Sequence, residues 1–351
     1  MKAVVITNKG LETYSEKEIN KLGYKTQTKE RLIFFEAEKE DIIKIAYDGR
    51  TFQRVLFLMD EYVFEKKPQE QFDAKKIKEI KESFTIDGER YGEHEFNSFD
   101  LRKQLGFFIN QTTKKKYDIK NGLTKFYFFI NEKYFLFGID ISGFDLSKRD
   151  YRIFLSPESL KPNIAASMLL EADYSSEKIL LDPFSRSGEL SVEAALIALN
   201  KSPNYHSKKK FSENIDFKDK LKDIKTNINC FDNEFKHIIA SKKNAKIAGV
   251  NKYINFSRQD LKNLDLKFEN ESIDCIVTQT PKFSKRKDPN DLLELYKNFF
   301  EQVKLLLKKD GIAVLLVNNL KVKELTKLKL TSEQKIELGE STCWILKYKK
   351  N

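Results

Sequence analysis

The sequence predicts a two-part α/β protein whose C-terminal half is a doubly wound, Rossmann-like parallel sheet. From residue 163 onward, apolar β-branched segments alternate with segments of helical spacing, which is typical of strands joined by crossover helices. Several of these strands end at a carboxylate or a polar turn. The chain has 351 residues, which is more than one ordinary core accommodates, and 40% of them are hydrophobic, enough for folded domains.

The N-terminal half is expected to form two small α+β units, at residues 1–65 and 66–145. In the first unit, short apolar runs alternate with segments of helical spacing, and Gly23 is a natural helix stop. The expected order is strand 3–7, helix 11–22, strand 31–37, helix 41–47 and strand 53–64. This alternation predicts helices packed on a small sheet.

The second unit repeats this theme. Helices are expected at residues 74–83 and 99–112, and strands at residues 125–130 and 133–141. The turn dipeptide Asn131-Glu132 separates the two strands and predicts a hairpin. Their phenylalanine-rich runs have strand spacing, so we expect these rings in the core. Residues 146–162 belong to a polar, turn-rich, basic stretch that predicts a linker.

Residues 163–351 are expected to form the parallel sheet and its helices. The expected strands are 178–181, 228–231, 254–257, 275–278 and 312–317, and the expected helices are 163–172, 189–200, 235–248 and 291–308. The Lys-rich residues 203–225 interrupt this alternation and predict a solvated surface insert. Trp344 lies in a late strand-like segment and is expected in the core.

The charge balance favours a polyanionic partner without establishing one. The 64 Lys and Arg exceed the 53 Asp and Glu, giving a formal charge of +11 and a pI near 9.1. Lysines that neutralise phosphates release counterions and raise affinity for nucleic acid. A Lys-rich protein with well-solvated surfaces would have the same balance, so composition leaves both interpretations open.

Metal, disulfide and membrane chemistry have little support in the sequence. The three cysteines and three histidines are too few and too scattered for a disulfide framework or a zinc site, so no metal is expected. No apolar run approaches the roughly 20 residues of a membrane-spanning helix. The N-terminus turns polar too soon for a signal peptide. We therefore expect a cytoplasmic protein with reduced thiols.

The strand ends of the C-terminal half predict a nucleoside-cofactor site. The first strand runs into the turn 182–188 (DPFSRSG), and a helix opens directly after it. Ligands of doubly wound sheets lie beyond the carboxyl ends of the strands, near helix N-termini. Asp232 follows the second strand, where ribose hydroxyls are bound, and Asp260 follows the third, where a carboxylate can accept from an adenine amino group. Either aspartate alone is equally well explained as a helix cap, but the ordered set favours a cofactor.

Residues 182–195 (DPFSRSGELSVEAA) resemble the DPFCGSGTILIEAA signature of the THUMP-containing RNA guanine-N2 methyltransferases. The other similar segments, in chain order, are 8–12 (NKGLE), 140–152 (DISGFDLSKRDYR), 160–166 (LKPNIAA), 232–234 (DNE) and 243–250 (KNAKIAGV). The resemblance covers nearly the whole chain in the right order, and the match at the linker is the most specific part.

This resemblance implies a ferredoxin-like and THUMP module that binds RNA, followed by a class I methyltransferase domain that uses S-adenosylmethionine. Family members methylate the exocyclic N2 of guanosine, in tRNA for archaeal and eukaryotic members and in large-subunit rRNA for bacterial ones. The residues implied for the methionine end of the cofactor are Asp182, Ser185, Ser187 and Gly188. Asp232 is implied for the ribose and Asp260 for the adenine.

The catalytic motif of the family, TNPPYG or a close relative, falls on residues 278–283 (TQTPKF). An amide side chain and a backbone carbonyl there accept from the target amino group, prolines fix the turn, and an aromatic ring stacks on the flipped base. The implied catalytic residues are Gln279, Pro281 and Phe283. Gln279 is one methylene longer than asparagine, Thr280 replaces a proline, and Lys282 replaces the aromatic residue.

The cofactor turn also departs from the family pattern, because Arg186 stands where the family has its first glycine. Glycine there allows positive φ and a close approach of the backbone, whereas an arginine side chain would occupy cofactor space. Departures at both functional loops keep a second hypothesis open, in which the chain is a catalytically impaired RNA-binding or scaffold protein. A small-molecule methyltransferase is disfavoured by the basic charge and the linker match.

The expected RNA contacts are basic stretches that contain or adjoin aromatic residues. Lysine and arginine neutralise phosphates, and aromatic rings stack on unpaired bases. The candidate residues are Lys114, Lys115, Lys116, Lys148, Arg149, Arg152, Lys282, Lys285 and Arg286. Residues 114–116 taken alone are equally well explained as a solvated loop. The predicted partner is tRNA, with rRNA as the alternative.

Overall fold

The computed structural model describes residues 1–78, 80–283, 288–339 and 341–351. Its N-terminal half is built on one sheet of eight strands. These are β1 (Lys2–Ile6), β2 (Thr26–Lys29), β3 (Leu32–Glu36), β4 (Arg54–Val63), β5 (Ser83–Tyr91), β6 (Lys116–Tyr117), β7 (Thr124–Asn131) and β8 (Tyr134–Asp140). The helices are α1 (Glu12–Asn20), α2 (Lys39–Asp48) and α3 (Ser98–Thr113).

The strand order is β2-β3-β1-β4-β8-β7-β5-β6, so the two expected α+β units share a single sheet. The junction is the antiparallel pair β4–β8, which runs from Leu56 opposite Asp140 to Val63 opposite Tyr134. The predicted hairpin is confirmed, because β7 and β8 pair antiparallel around the Asn131-Glu132 turn. The phenylalanines of these two strands are buried, as expected.

The helix expected at residues 74–83 is wrong. Among the described residues of this segment a single 3₁₀ turn forms, Ala74–Lys76, and Asp73 caps it by accepting from the Lys75 amide at 3.0 Å. Ser83 instead begins β5, which pairs in parallel with β7. Pairing with a neighbouring strand therefore overrides the local helical pattern at the end of this segment.

The C-terminal half is a seven-stranded sheet with helices, as predicted. Its strands are β9 (Ile179–Asp182), β10 (Asn227–Asp232), β11 (Ile254–Arg258), β12 (Ile273–Gln279), β13 (Leu307–Val317), β14 (Lys329–Leu338) and β15 (Ser341–Lys349). The helices are α4 (Pro162–Glu171), α5 (Glu189–Ala198), α6 (Phe235–Ala248) and α7 (Pro289–Leu306).

The strand order is β11-β10-β9-β12-β13-β15-β14, with β9 to β13 parallel and the last two pairs antiparallel. The chain runs outward from β9 through β10 to β11 and then returns to the other side of β9 as β12. The strand order reverses between β9 and β12, and ligands of doubly wound sheets bind at such a reversal. The carboxyl ends of β9, β10 and β12 are Asp182, Asp232 and Gln279.

Residues 203–225 were predicted to form a solvated surface insert, but some of their apolar side chains are buried in a core. Phe211 and Ile215 are buried and pack with Tyr47 of α2 in the core of the N-terminal half. The ring centroid of Phe211 lies 6.1 Å from that of Tyr47 and 5.3 Å from that of Phe144. The prediction of a solvated insert is therefore wrong for these apolar positions, which join the two halves.

No helix in the described part of the chain is long and apolar enough to cross a membrane.

Candidate cofactor and catalytic site

A cavity of about 870 Å³ lies at the carboxyl ends of β9 to β12. Its volume falls in the range of roughly 300–1,000 Å³ that is usual for small-molecule and cofactor sites. The lining includes four residues discussed in the sequence analysis, Arg186, Asp232, Asp260 and Pro281. It also includes Glu158, which contacts Arg186. The fold thus brings the cofactor turn, both predicted adenosine-binding carboxylates and part of the catalytic motif to one cavity.

Asp182 is wholly buried at the end of β9 and ties this strand to β12. Its Oδ1 accepts from Thr278 Oγ1 at 2.6 Å and from the Phe184 amide at 3.3 Å. The pKa of this carboxyl is raised to about 7, chiefly by burial and also by the charge of Asp232, while the two hydrogen bonds oppose the shift. Asp182 therefore stabilises the turn through hydrogen bonds to the Phe184 amide and to Thr278 of β12.

Arg186 crosses from the turn to the catalytic loop. Its amide donates to Asp232 Oδ2 at 2.9 Å, its Nη1 to the Gln279 carbonyl at 2.8 Å, and its Nη2 to Glu158 Oε2 at 2.6 Å. The residue is buried and has φ of 49°, a left-handed conformation that costs a non-glycine residue about 1 kcal/mol or more. Three hydrogen bonds hold the backbone and the guanidinium of this residue in place.

Arg186 also limits the space beside the catalytic loop. Together with Phe184 it lines both the large cavity and a void of about 10 Å³, whose other walls include Asp182 and Gln279. Such a void holds about one water molecule. The arginine side chain therefore stands between the large cavity and the space next to Gln279.

The remaining residues of the turn have different surroundings. The Ser187 hydroxyl faces the linker, where it accepts from the Ser156 amide at 2.9 Å and contacts Ser159. The Ser187 side chain is wholly buried against the linker, and its contact with the methionine end stays a prediction. Ser185 Oγ is buried without a hydrogen-bond partner in the part of the chain that the structure describes.

Gly188 is required by the geometry of the turn. It has φ of 81°, and a Cβ placed on it would lie 2.8 Å from Cβ of Ser241 on α6. The family glycine at this position is thus retained for both a conformational and a steric reason.

Asp232 lines the cavity but already accepts several hydrogen bonds. Besides the Arg186 amide, it accepts from the Glu234 amide at 2.9 Å, and its Oδ1 lies 2.9 Å from Nδ1 of His237. Asp260 is exposed on the cavity wall and accepts from the Lys262 amide at 2.9 Å. Asp260 is thus both a helix cap and a cavity residue, whereas Asp232 ends β10 and is not the cap of α6. His237 also lines the cavity, and sequence reasoning missed it.

The loop after β12, which carries the predicted catalytic motif, is held by Tyr296 of α7. The Tyr296 hydroxyl contacts Thr280 Oγ1 at 2.6 Å and the Pro281 carbonyl at 2.9 Å. Gln279 is buried, and its Oε1 has no hydrogen-bond partner among the described residues. An orphaned acceptor of this kind costs free energy unless a ligand satisfies it. The side-chain amide of Gln279 is thus a candidate contact for an external donor.

Phe283 is less available for stacking than the sequence predicted. Its ring stacks on that of Tyr296, with centroids 5.5 Å apart and planes 15° apart. Its amide and carbonyl are both bonded to the Asn318 side chain, at 3.0 and 2.9 Å. Lys282 is half-buried beside it, whereas Lys285 and Arg286 lie outside the described residues. Sequence reasoning missed Tyr296 and Asn318, since each is brought to the loop from a distant element.

Two of the predicted RNA-binding arginines form ion pairs with glutamates of α5. The side chain of Arg149 has no exposed surface, and its Nε donates to Glu193 Oε1 of α5 at 3.2 Å. Arg152 Nε lies 3.3 Å from Glu189 Oε1, also on α5. The guanidinium of Arg149 is thus buried, which argues against a direct RNA contact, whereas the Arg152 side chain is 23% exposed and its RNA contact stays a prediction. The sequence contained an indication of these ion pairs, because Glu189 and Glu193 are the two charged residues of the mainly apolar helix α5.

The lysines of the predicted RNA surface remain accessible. Lys148 is exposed directly beside the buried Arg149. Lys114 caps α3 with φ of 59°, and both it and Lys116 are exposed, while Lys115 is half-buried. No group of three or more His, Cys, Asp or Glu side chains in the described ranges is arranged to hold a metal ion.

Comparison with known proteins identifies the family of the chain. Residues 149–344, more than half of the sequence, match the family described as "RMKL-like, methyltransferase domain". The chain belongs to this family. Residues 2–56 match the RlmL ferredoxin-like domain, which agrees with the N-terminal α+β fold. Both matches confirm the family and fold class expected from the sequence.

Curated relatives of the chain include archaeal and bacterial RNA methyltransferases. It is 30% identical over 338 residues to a tRNA (guanine(6)-N2)-methyltransferase of Methanocaldococcus jannaschii, covering 86% of this chain and 87% of the relative. An Archaeoglobus fulgidus protein of the same name is 27% identical, with 88% and 80% covered. The ribosomal RNA large subunit methyltransferase K/L of Buchnera aphidicola from Acyrthosiphon pisum is 29% identical, but the match covers 48% of this chain and 27% of that protein.

Solved structures share the whole fold. TrmN from Thermus thermophilus superposes with a TM-score of 0.76 at 18% identity, covering 100% of this chain and 99% of the other. SMU.472, a methyltransferase solved in complex with SAH, gives a TM-score of 0.79 at 18% identity, with 100% and 98% covered. The similarity extends over both halves and confirms the fold.

Proposed function

We propose that this protein is a tRNA guanine-N2 methyltransferase that uses S-adenosylmethionine. The observation that supports it best is the single cavity lined by Asp232, Asp260 and Pro281, which follow three different strands of the sheet. The archaeal relatives that match most of the chain have this activity by name. We also retain the division into residues 1–65, 66–145, 146–162 and 163–351 as a proposal.

The described residues fit the cofactor at its adenosine end. Asp260 is exposed on the cavity wall and can accept from the adenine amino group, and Asp232 lies on the same wall for the ribose. The cofactor supplies an activated methyl group bonded to a positively charged sulfur. At the other end, the buried and unsatisfied Oε1 of Gln279 offers an acceptor for an amino group.

The role of the catalytic loop is to position the target base. Gln279 would accept a hydrogen bond from the exocyclic amino group of guanine and direct the nitrogen lone pair at the methyl carbon. The bound cofactor would supply the methyl group to this nitrogen, the electron pair of the C–S bond would remain on sulfur, and one amino proton would be released. Tyr296, through Thr280 and Pro281, holds the loop that performs this alignment.

The proposal is tested by incubating the purified protein with methyl-labelled S-adenosylmethionine and unmodified RNA. We expect label in tRNA, recovered as N2-methylguanosine after nuclease digestion, and none in ribosomal RNA of the large subunit. Asp260→Ala should weaken cofactor binding, whereas Asp223→Ala, at an exposed position outside the helices, strands and cavity lining, is the matched control. Methylation of ribosomal RNA alone would replace the tRNA assignment, and absence of any transfer would contradict the proposed activity.

A non-catalytic RNA-binding protein is the second candidate, favoured by one observation. The Gln279 carbonyl accepts from Arg186, so one of the two lone pairs of this backbone acceptor is already used. This candidate predicts RNA binding with a steep dependence on salt concentration, but no methyl transfer. Filter binding at several salt concentrations, run beside the methylation assay, separates the two functions.

A further inference from the structure

Arg186 and Glu158 form an ion pair on the wall of the cofactor cavity. Arg186 Nη2 lies 2.6 Å from Glu158 Oε2, and the two side chains are 9% and 29% exposed. The cavity also contains Lys236 and Lys262, but their side chains are 74% and 65% exposed and lie near Glu234 and Glu294. Arg186 is therefore the buried cation of this cavity among the residues that the structure describes.

The ion pair and Asp260 lie at different positions along the cavity, and the Arg186 amide contacts Asp232 between them. Asp260 follows β11 and Asp232 follows β10, whereas Arg186 follows β9 and donates to Gln279 at the end of β12. Since the strand order is β11-β10-β9-β12, a ligand with its adenine at Asp260 would extend toward Arg186. Glu158 approaches the same point from the linker.

The chemistry of the pair matches an α-amino acid. Such a group carries a carboxylate and an ammonium on one carbon, and the planar fork of arginine binds carboxylates in a bidentate manner. We propose that Arg186 and Glu158 together bind the amino-acid end of S-adenosylmethionine, Arg186 the carboxylate and Glu158 the ammonium. The inference rests on the proposed function, and it makes Arg186 a binding residue where the family pattern suggests an obstruction.

Binding of this kind would also free the catalytic loop. The Nη1 donor that now serves the Gln279 carbonyl is part of the same guanidinium fork. A cofactor carboxylate that draws this fork toward itself releases the Gln279 carbonyl, which can then accept from the target amino group. The Arg186 amide keeps its bond to Asp232, so the turn need not unfold.

The test compares three ligands by calorimetric titration into the whole protein: S-adenosylmethionine, its decarboxylated form, and 5′-methylthioadenosine, which lacks the amino-acid end. We expect the natural chain to bind S-adenosylmethionine about 10- to 100-fold more tightly than the decarboxylated form, as a buried charge-assisted hydrogen bond warrants. Arg186→Gln should abolish this preference. Glu158→Gln should weaken binding of both ligands that have the ammonium, by about 10-fold.

Both variants should leave the affinity for 5′-methylthioadenosine within about twofold of the natural value, because its contacts lie at the adenosine end. Arg102→Gln is the matched control, since Arg102 forms an ion pair with Asp87 at 2.8 Å in the N-terminal half. It should change none of the three affinities. Arg186→Lys retains the charge without the fork and should give an intermediate loss.

The outcomes separate the inference from the proposed function. Equal affinities of the natural chain for S-adenosylmethionine and its decarboxylated form overturn the inference, and this comparison needs no variant to fold. Tighter binding of S-adenosylmethionine by Arg186→Gln also overturns it and makes the side chain an obstruction. Neither result contradicts the methyltransferase activity. Failure of the natural chain to bind any of the three ligands contradicts both.

Discussion

The guanidinium of Arg186 lies 2.8 Å from the carbonyl oxygen of Gln279 and joins the turn after β9 to the loop after β12. These are the two segments in which the chain departs from its family pattern. The departures therefore meet in space, although 93 residues separate them in the sequence. A substitution in one loop is expected to change the behaviour of the other.

Replacing Gln279 by leucine should separate stability from catalysis. The amide oxygen is buried without a partner within the described ranges, so an apolar side chain of similar size removes a desolvation cost and should not lower stability. Methyl transfer should fall at least about 100-fold, because the amide no longer aligns the target amino group. Single-turnover rates, thermal melting and cofactor titration measure the three quantities. Gln334→Leu on β14 is the control, and an unchanged rate for Gln279→Leu would remove Gln279 from the mechanism.

The elevated pKa of Asp182 predicts that the free energy of unfolding depends on pH. The pKa rises from 3.8 in the unfolded chain to about 7 in the native protein, chiefly because of burial. The native state thus holds the proton more tightly, and stability falls as pH rises from about 4 to about 7. Relative to the natural chain, Asp182→Asn should gain about 2–3 kcal/mol in unfolding free energy between pH 5 and pH 8.

Denaturant unfolding at the two pH values measures this difference. Asp310→Asn is the control, because pairing with Lys349 lowers the pKa of the exposed Asp310 carboxyl, and this group does not titrate between pH 5 and pH 8. A difference between Asp182→Asn and the natural chain that does not vary with pH would show that Asp182 is ionised throughout.

Arg149 should matter for stability and not for RNA affinity. Removing it with Arg149→Met leaves Glu193 buried, with Arg50 at 4.0 Å as the remaining cation, and should cost about 3–5 kcal/mol. The double variant Arg149→Met with Glu193→Met should recover much of this loss, since it removes both charges.

Lys148 is exposed, in contrast to its buried neighbour Arg149, and is therefore expected to affect RNA affinity and not stability. If this exposed side chain contacts a phosphate, Lys148→Ala should reduce the slope of log affinity against log salt by about 1, with little change in stability. Arg149→Met, studied at a temperature where it is folded, should keep the natural slope. A reduced slope for Arg149→Met would mean that the guanidinium reaches RNA after all.

Phe211 tests the anchoring of residues 203–225. Its ring is buried with Tyr47 and Phe144, so Phe211→Ala should cost about 3–5 kcal/mol. Leu221 belongs to the same segment but is 55% exposed, and Leu221→Ala should change stability by less than about 0.5 kcal/mol. Thermal unfolding of the two variants makes the comparison. Equal, small effects would restore the interpretation of this segment as a solvated insert.

Much of the fold could be predicted because it depends on local pattern. The β7–β8 hairpin follows from two apolar runs around Asn131-Glu132, and β9 to β12 follow from apolar runs that end in polar turns. Strand β5 was missed because Asp87, Gly88 and Glu89 interrupt its apolar alternation. It is a strand because residues 84–91 pair in parallel with β7. That partner strand is some 40 residues away in the sequence.

The sequence predicted which segments form the site, but it did not predict which side chains contact one another there. The order of strand ends placed Asp182, Asp232, Asp260 and residues 278–283 at one edge of the sheet. No local pattern indicates that Ser187 faces the linker, since Ser156 and Ser159 approach it from a separate segment. The side chains that fix the catalytic loop likewise belong to elements that follow it in the chain.

By itself, the sequence determined the two-part architecture, the family and the places where a cofactor and a base could bind, because periodicity and short motifs are local properties. The tertiary structure decided what each charged residue does. Arg149 became part of a buried pair because α5 carries Glu193 to it, and Arg186 became a bridge because β12 places the Gln279 carbonyl opposite the turn. Pairing between distant residues depends on how strands and helices pack, which no local pattern specifies.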